Sequence, residues 1–302
     1  MASTTDEVLR FVRDRDNDVK FVRLTFSDAL GTPKNISVPP EELQRAFERG
    51  VAFDGRMFGE VSELRAPPES RAPLEAHAPL VLRTPLLFPD PTTLAVLPWR
   101  PQHGRVVRFY CDIKDETGEI MPYDARASLR RAVEKAAAAG KAVSAGASCD
   151  FYLFRTNDEG TPTKIPFDSG GYLDVYPLDR GENVRRDICS YLEVMSVTVT
   201  SSHHAYGPGQ NTISLKEADA LTCADAIQTL KTVAGVVAAQ NGLTASLEKN
   251  PLPGTAESVL FITAAVTEKG GKKGGQRREQ TYSFAPSANP YTEMERIVLN
   301  GC

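Results

Sequence analysis

Two adjacent histidines, His203 and His204, are the residues of the sequence best suited to chemistry. They end an alternating run of apolar and hydroxyl residues, which predicts a strand with one buried face. A Gly-Pro-Gly turn at 207–209 follows, and it must interrupt regular pairing before a second strand begins. Gln210 and Asn211 open that second strand. We therefore predict that this strand–turn–strand unit directs the two imidazoles and the two amides into a cleft.

The composition excludes several classes of function. The 302 residues include 35 Lys and Arg against 39 Asp and Glu, a net charge of −4, so nothing attracts nucleic acid in general. The sequence has no run of about 18 apolar residues and no basic-then-apolar start, so we predict neither a membrane span nor a secretion signal and expect a cytoplasmic location. The five cysteines are widely spaced without a Cys-x-x-Cys pair, which argues against a disulfide framework or zinc cluster.

Regular elements on both sides must position the histidine unit. Apolar periodicity predicts helices at 5–15, 41–49, 124–139, 180–195 and 216–241, and alternation predicts strands at 19–26, 34–38, 92–101, 106–112, 143–154, 197–202 and 212–215. A proline-rich stretch at about 63–91 cannot form a regular helix. A glycine-rich basic stretch at 266–278 lacks the spacing of a phosphate-binding loop and is predicted to be a flexible hairpin tip or loop.

The sequence S-H-H-A-Y-G-P-G-Q-N-T-I at 202–213 resembles the glutamine synthetase motif S-H-H-E-V-x-P-G-Q-[NH]-E-I. The similarity continues in P-D-P-T-T-L-A-V-L-P-W-R-P-Q at 89–102, in G-Y-L-D at 171–174 and in the helix at 180–195. The resemblance implies an α+β fold with an N-terminal β-grasp-like domain at 1–105, into which the proline-rich stretch is inserted. It also implies an incomplete, truncated glutamine-synthetase-type catalytic domain at 106–302, with an antiparallel sheet flanked by helices.

The resemblance assigns metal-binding roles to five positions, and all five are altered here. They are Ser148, Asp150, Ala205, Thr212 and Phe261. Hydroxyl side chains are poor Mg²⁺ ligands, alanine and phenylalanine offer no ligand, and aspartate is one methylene shorter than the family's glutamate. No counterpart of the family's C-terminal arginines, which hold ATP phosphates, follows in the sequence. We therefore expect no cofactor, and Mg²⁺ or Mn²⁺ with ATP only if a ligase activity persists.

Two positions match the ammonium site of the family. Asp54 corresponds to an aspartate that acts in the neighbouring subunit's active site, and Tyr172 corresponds to a tyrosine that lines the ammonium pocket. The serines that follow the aspartate in the family are replaced by Arg56 and Met57. Asp54 alone could equally be a loop aspartate that bonds its own backbone.

The favoured hypothesis is a catalytically inactive glutamine synthetase homologue that acts through assembly or binding, with itself or with an active glutamine synthetase in nitrogen metabolism. The family's subunits join in rings, so an oligomer is expected, as a single ring or a smaller species. One alternative is a residual ATP-dependent ligase that joins glutamate to ammonia or an amine. The other is an unrelated activity that uses Asp150 with one of the two histidines, because a carboxylate and an imidazole can hold Zn²⁺ or Fe²⁺. Adjacent strand residues point to opposite faces, so His203 and His204 are not expected to share one site.

Overall fold

A computed structural model describes residues 4–28, 30–58, 84–99, 104–268 and 277–301. Most of the proline-rich stretch and the middle of the glycine-rich stretch lie outside these residues. The described helices are α1 (Thr5–Arg13), α2 (Leu43–Arg49), α3 (Ala125–Ala138), α4 (Glu182–Val194), α5 (Ala220–Gln240) and α6 (Pro290–Gly301). The described strands are β1 (Val19–Ser27), β2 (Pro33–Val38), β3 (Val51–Ala52), β4 (Leu86–Pro89), β5 (Ala95–Val96), β6 (Arg105–Lys114), β7 (Lys141–Thr156), β8 (Pro162–Pro166), β9 (Val199–His204), β10 (Gln210–Asp219), β11 (Leu243–Ser246), β12 (Leu260–Glu268) and β13 (Arg277–Phe284). The chain divides into two compact units, one up to Ser128 and one from Leu129 onward.

The first unit is built on a mixed sheet with the strand order β2-β1-β6-β4-β3, and β5 also pairs with β6. The predicted hairpin is present as β1 and β2, and the Asp28 side chain accepts backbone N–H groups within its turn. β1 and β6 run parallel to each other. Leu24 of β1, Phe109 of β6 and Leu43 of α2 belong to one buried core, so the sheet and α2 are held together by apolar packing.

The border between the two units differs from the predicted border near residue 105. Residues 105–114 form β6, which pairs with β1 of the first sheet. The side chains at 106–111 are all buried, as is typical of a central strand that is covered on both faces. The first unit therefore extends through β6 and ends after Ser128, within α3.

The second unit contains an antiparallel sheet with the order β13-β12-β7-β10-β9, and β8 and β11 also pair with β7. The two faces of this sheet differ. On β7, Val143, Ala145, Ala147 and Cys149 are buried on the face that packs against α5, which we call the helix-covered face. The alternate residues of β7 point the other way. The strand register places the following residues side by side on that second surface, which we call the open face: Ser148, Asp150, Ser201, His203, Thr212, Ser214 and Phe261.

The helix α5 begins later than the sequence predicted. We predicted a helix from residue 216, but β10 continues to Asp219, and the Lys216 amide donates to the carbonyl of Thr198. Asp219 is the N-cap of α5, because its side chain accepts the N–H of Thr222. The residues before the cap mix alanine with polar residues, a composition that also suits a helix. In the structure their backbone belongs to β10 instead. None of the described helices, including α5, is long and apolar enough to cross a membrane.

Candidate functional site

The turn between β9 and β10 is shaped by glycines that approach other residues closely. A Cβ atom on Gly207 would lie 2.1 Å from the hydroxyl oxygen of Tyr152, so a side chain cannot be accommodated there without rearrangement. Gly209 has φ +70, and a Cβ atom on it would lie 2.8 Å from the carbonyl oxygen of Leu153. The Gly-Pro-Gly sequence is therefore required to bring the turn against β7.

The two histidines lie on opposite faces of the sheet, as predicted. His203 pairs with Thr212 on the open face, whereas His204 is 1% exposed on the helix-covered face. The Nε2 atom of His204 lies 2.9 Å from Oδ1 of Asp168, and its Nδ1 atom lies 2.8 Å from the carbonyl oxygen of Ala205. A carboxylate oxygen and a carbonyl oxygen accept hydrogen bonds, so the protonated ring, an imidazolium, can donate to both of them. Burial lowers the pKa of His204, but its bonds to Asp168 and Ala205 outweigh burial, so the net pKa is raised.

Asp168 accepts hydrogen bonds from three separate parts of the chain. Its Oδ1 accepts the N–H of Gly209 at 2.8 Å and that of Gly170 at 3.3 Å, and its Oδ2 accepts the N–H groups of Arg180 and Gly181. Burial raises the pKa of Asp168. The hydrogen bonds from His204 and from these N–H groups lower the pKa by more than burial raises it, so the net pKa is below its ordinary value. A carboxylate with five donors has its acceptor positions filled by the protein.

A second buried ion pair lies beside the first. The guanidinium of Arg185 on α4 donates to both oxygens of Asp179, at 3.0 and 2.6 Å, and to Oδ1 of Asn211 at 2.6 Å. The ligand atoms of Asp168, Asp179 and His204 all lie within 4.8 Å of one another, a spacing that a metal ion could use. We call Asp168, Asp179, Arg185 and His204 the buried quartet, and when His204 is protonated they comprise two cations and two anions. The two carboxylates are therefore paired with the imidazolium and the guanidinium and need no metal ion to balance their charge.

Three of the four predicted cleft residues are thus buried and bonded within the protein, and do not point into an open cleft. They are His204, Gln210 and Asn211. The Gln210 side chain accepts the N–H of Gly207 at 2.8 Å and donates to the carbonyl oxygen of Glu257 at 3.0 Å, so it fixes the turn. The prediction located the turn correctly, but alternation alone could not show which face would be covered. His203 and Gln210 lie on the open-face side of the sheet, but Gln210 is buried there, whereas His204 and Asn211 lie on the other side.

The altered metal positions on the open face are joined to each other or to the neighbouring strand by hydrogen bonds. The Thr212 hydroxyl donates to Oδ1 of Asp150 at 2.8 Å, and the Ser214 hydroxyl donates to the Ser148 hydroxyl at 3.1 Å. Oδ2 of Asp150 accepts the N–H of Val259 at 3.0 Å. Burial raises the pKa of Asp150, and the bonds from Thr212 and Val259 and the nearby His203 offset only part of that rise.

The other two altered positions supply no ligand atom. Phe261 on β12 pairs with Ser148 and is 42% exposed, so a hydrocarbon ring occupies this part of the open face. The Ala205 side chain is buried just after β9. Among the five positions, Asp150 is therefore the single carboxylate, and both of its oxygens have protein donors.

Tyr172 extends the open face beyond the sheet. Its ring stacks on that of Tyr206 with 4.3 Å between centroids and 5° between planes. Its ring is also nearly perpendicular to that of His203, with 5.6 Å between centroids. Tyr172 belongs to residues 167–181, an irregular connection that we call the strap. The Leu173 N–H donates to the carbonyl oxygen of His204, and a Cβ atom on Gly170 would lie 2.9 Å from His204 Nε2. The strap is therefore fixed against β9 by the buried quartet.

Asp54, in the first unit, is bound by its own chain. The Arg56 guanidinium donates from Nε to both carboxylate oxygens at 2.9 Å, and the Arg56 amide donates to Oδ1 at 3.0 Å. Hydrogen bonds from the Arg56 side chain and backbone lower the pKa of Asp54 to about 2. From the sequence we interpreted Arg56 only as added bulk and did not predict that it pairs with Asp54. The spacing of an arginine two residues after a loop aspartate could have indicated this pair.

Three further residues of the site, Asp168, Asp179 and Arg185, carry no motif that would have predicted their roles from the sequence. Arg185 lies in α4 beside the inward residues Val184 and Ile188, and an arginine in that register indicates a buried partner. The two aspartates lie near the ends of an irregular segment, where acidic residues are common and carry no specific signal.

Comparison with known proteins identifies the family. The model of the glutamine synthetase catalytic domain matches residues 122–292. The chain is 33% identical over 267 residues to a glutamine synthetase of Clostridium saccharobutylicum, covering 88% of this chain and 56% of that protein. It is 35% identical over 268 residues to a glutamine synthetase of Methanosarcina mazei, covering 89% of this chain and 56% of that protein. The chain thus spans little more than half the length of the curated relatives that it matches.

Solved structures show the same fold. A Plasmodium falciparum glutamine synthetase matches with a TM-score of 0.71 at 21% identity, covering 88% of this chain and 54% of that chain. A structure described as a GmaS/ADP complex matches with a TM-score of 0.70 at 24% identity, covering 91% of this chain and 60% of that chain. The turn after β9 and the strands β7 and β10 lie inside the matched catalytic-domain region. The chain therefore belongs to the glutamine synthetase family.

Proposed function

We propose that this chain is a catalytically inactive member of its family and acts through binding or assembly. The observation that carries this proposal is the hydrogen bonding of the altered metal positions. Thr212 donates to Asp150, and Ser214 donates to Ser148, so these side chains satisfy each other without a metal ion. Carboxylates grouped in one place repel each other and need cations, whereas hydroxyl pairs do not.

The chemistry of phosphoryl transfer gives this observation its weight. Transfer of a phosphoryl group from ATP depends on metal ions and basic groups that stabilise the charge of the transition state. Removing a single such group commonly costs about two to three orders of magnitude in rate. The residues at the five positions do not fit two Mg²⁺ ions, because they offer one carboxylate whose oxygens are already bonded. A residual ligase is therefore the weaker proposal.

The ammonium-site position supports the same proposal. A carboxylate that attracts an ammonium ion needs a free charge, but the Asp54 carboxylate is paired with the Arg56 guanidinium at 2.5 Å. Arginine is always protonated at neutral pH, so an incoming cation must displace it. Asp54 and Tyr172 are therefore proposed to be remnants of the site, without a catalytic role.

Metal-dependent nucleotide binding tests the proposal. We expect calorimetric titration with Mn²⁺–ATP and Mg²⁺–ATP to show no binding to the purified chain. A variant that restores the family's ligands at all five positions (S148E, D150E, A205E, T212E and F261H) is the matched control, and it is expected to bind Mn²⁺. Micromolar, metal-dependent ATP binding by the unchanged chain would refute the inactive assignment. Glutamine formation above a no-enzyme blank would support the ligase alternative instead.

Exposed apolar side chains on the strap favour association with a second copy of the chain. Leu173, Val175, Tyr176 and Leu178 are all more than half exposed within six residues. Clusters of this kind on protein surfaces commonly mark contacts with other proteins.

Light scattering at micromolar concentration should show an oligomer, and the double change V175E/L178E should reduce its mass. V194E changes another valine that is more than half exposed, on α4, and should leave the mass unchanged. A clean monomer of 32.9 kDa that also does not co-purify with an active glutamine synthetase would contradict this part of the proposal.

The β-grasp assignment of the first unit is also a proposal. It is supported by the hairpin β1–β2, by the parallel pairing of β1 with β6 and by the packing of Leu43 of α2 into the same core. Such a domain in the family completes a neighbour's cleft, which is consistent with a role in assembly.

A further inference from the structure

The open face continues without interruption into an exposed aromatic pair. The Thr212 hydroxyl bonds Asp150, Thr212 pairs across the strands with His203, and the His203 ring contacts Tyr172, which stacks on Tyr206. Each link lies within the second unit. The arrangement thus places a carboxylate, a hydroxyl, an imidazole and two phenol rings in one row.

A second row of hydroxyl groups runs beside the first. Ser201 pairs with Ser214, and Ser214 donates to Ser148 at 3.1 Å. Each hydroxyl has one donor hydrogen and two acceptor lone pairs, so it can bind a ligand hydroxyl in either direction. Their side chains are shorter than glutamate side chains at the same positions would be.

The charges of the open face disfavour ionic ligands. Among the seven residues by which the open face was defined, Asp150 is the single carboxylate, and Thr212 and the Val259 amide already donate to its oxygens. A phosphate or carboxylate ligand would be repelled by Asp150. A metal or organic cation would find one anion whose accepting positions are partly used. A neutral ligand with several hydroxyl groups avoids both costs.

The tyrosine pair provides an apolar surface of the matching kind. Tyr206 is 70% exposed, and its stacking on Tyr172 leaves the second ring face open for contact. The CH groups of a sugar or polyol pack on aromatic rings while its hydroxyls bond polar groups nearby, as is usual in small-molecule sites. The strap holds Tyr172 in place through the bond from Leu173 N–H to the His204 carbonyl. Little conformational entropy is therefore lost when a ligand binds.

We propose that the open face, together with Tyr172 and Tyr206, binds a neutral polyhydroxylated ligand of the sugar or polyol class. This inference rests on the proposed loss of metal chemistry and assigns a ligand class to the same surface. Asp150 and the serine hydroxyls bond the ligand hydroxyls, and Tyr206 packs on its carbon skeleton.

The inference is tested by measuring the binding of D-glucose and of myo-inositol to the full chain, with NMR line broadening and calorimetry. We expect a Kd on the order of 1 mM, since such small ligands make few contacts. Y206A should weaken binding roughly two- to tenfold, because it removes the stacking surface, and D150N should weaken it as well. Y282A is the matched control: Tyr282 lies on β13 of the same sheet but pairs with Ile262, on the opposite face, and binding should not change.

The outcomes separate the two proposals. Absence of binding by either compound at roughly 50 mM, or equal binding by the chain and Y206A, overturns the sugar or polyol site. Tighter binding of tetramethylammonium or inorganic phosphate than of both neutral probes also overturns it. None of these results restores metal-dependent ATP binding, so the inactive assignment stands or falls on its own titration. Because Tyr206 is largely exposed, thermal unfolding should show that Y206A is folded.

Discussion

The two faces of the second sheet satisfy their polar groups in different ways. On the helix-covered face, His204 belongs to a buried quartet of two cations and two anions, with its charges paired at 2.6–3.0 Å. On the open face, the neighbouring residue His203 faces hydroxyl groups and one carboxylate. The quartet lies among the parts of the chain that hold the turn and the strap. The open face carries four of the five positions that motif similarity matched to metal ligands, and they hold two hydroxyl groups, a phenyl ring and one carboxylate.

This difference indicates which charges the fold needs. Removing one member of a buried ion pair leaves an uncompensated charge in the interior, which is strongly unfavourable. Removing carboxylates from a partly exposed surface only ends their mutual repulsion. Neutral side chains on the open face are therefore compatible with a stable protein, whereas we expect the loss of a quartet member to destabilise it.

The largest expected effect comes from breaking the quartet at Arg185. R185M leaves Asp179 buried without its bidentate partner, so we expect the free energy of unfolding to fall by about 3–5 kcal/mol. Urea denaturation measures this change. R186M is the control, because Arg186 is the exposed neighbour on α4 and should alter the free energy by less than about 0.5 kcal/mol. Equal effects of the two changes would show that the quartet does not stabilise the fold.

The second expected effect is a pH dependence that comes from His204. Its folded-state pKa is raised, so its contribution to stability is fully present below the unfolded value of about 6.5 and is lost as pH rises through the folded value. We expect the urea midpoint to fall as pH rises above about 6.5. H204Q should remove this fall, whereas H203Q, on the open face, should retain it. An unchanged slope in H204Q would show that another group is responsible.

A smaller effect is expected on the open face. T212V removes the hydroxyl that donates to Asp150 with little change in shape, so the free energy of unfolding should fall by about 1 kcal/mol. The pKa of Asp150 should rise further, because this bond lowers it. NMR titration of the carboxyl carbon measures the pKa, and S201A in the adjacent row is the control. If T212V lowered the free energy of unfolding as much as R185M does, the two faces would not differ in the way described above.

The smallest effect on stability is expected in the first unit, at an exposed pair. R56A removes the guanidinium from Asp54, and the pKa of Asp54 should rise from about 2 toward its ordinary value of 3.8. The thermal midpoint should not change, because both side chains are mostly exposed and such pairs add little. R45A breaks another exposed pair, with Glu42, and should leave the pKa of Asp54 unchanged. A low pKa of Asp54 in R56A would mean that a different group holds the carboxylate.

Local sequence patterns were sufficient for most elements and for the relation between neighbouring side chains. Alternation with a period of two predicted that His203 and His204 point to opposite faces, and the turn glycines predicted where the chain reverses. Motif similarity located the altered positions Ser148, Asp150 and Thr212, which the strand register then brings together on one face. These inferences depend on residues that are close in sequence, so the sequence alone determined them.

Only the tertiary structure decided which face is covered and which charges meet. His204 is buried with Asp168 and Gly170 of the strap against its ring, whereas His203 lies on the open face, and alternation is the same in either case. Asp168 lies 36 residues before His204, and Arg185 lies 26 residues before Asn211, so no local pattern pairs them. β6 joined the first unit because its partner β1 lies far earlier in the chain. Sequence periodicity fixes the direction of a side chain relative to its neighbours, whereas burial and charge pairing depend on segments that meet only in the folded protein.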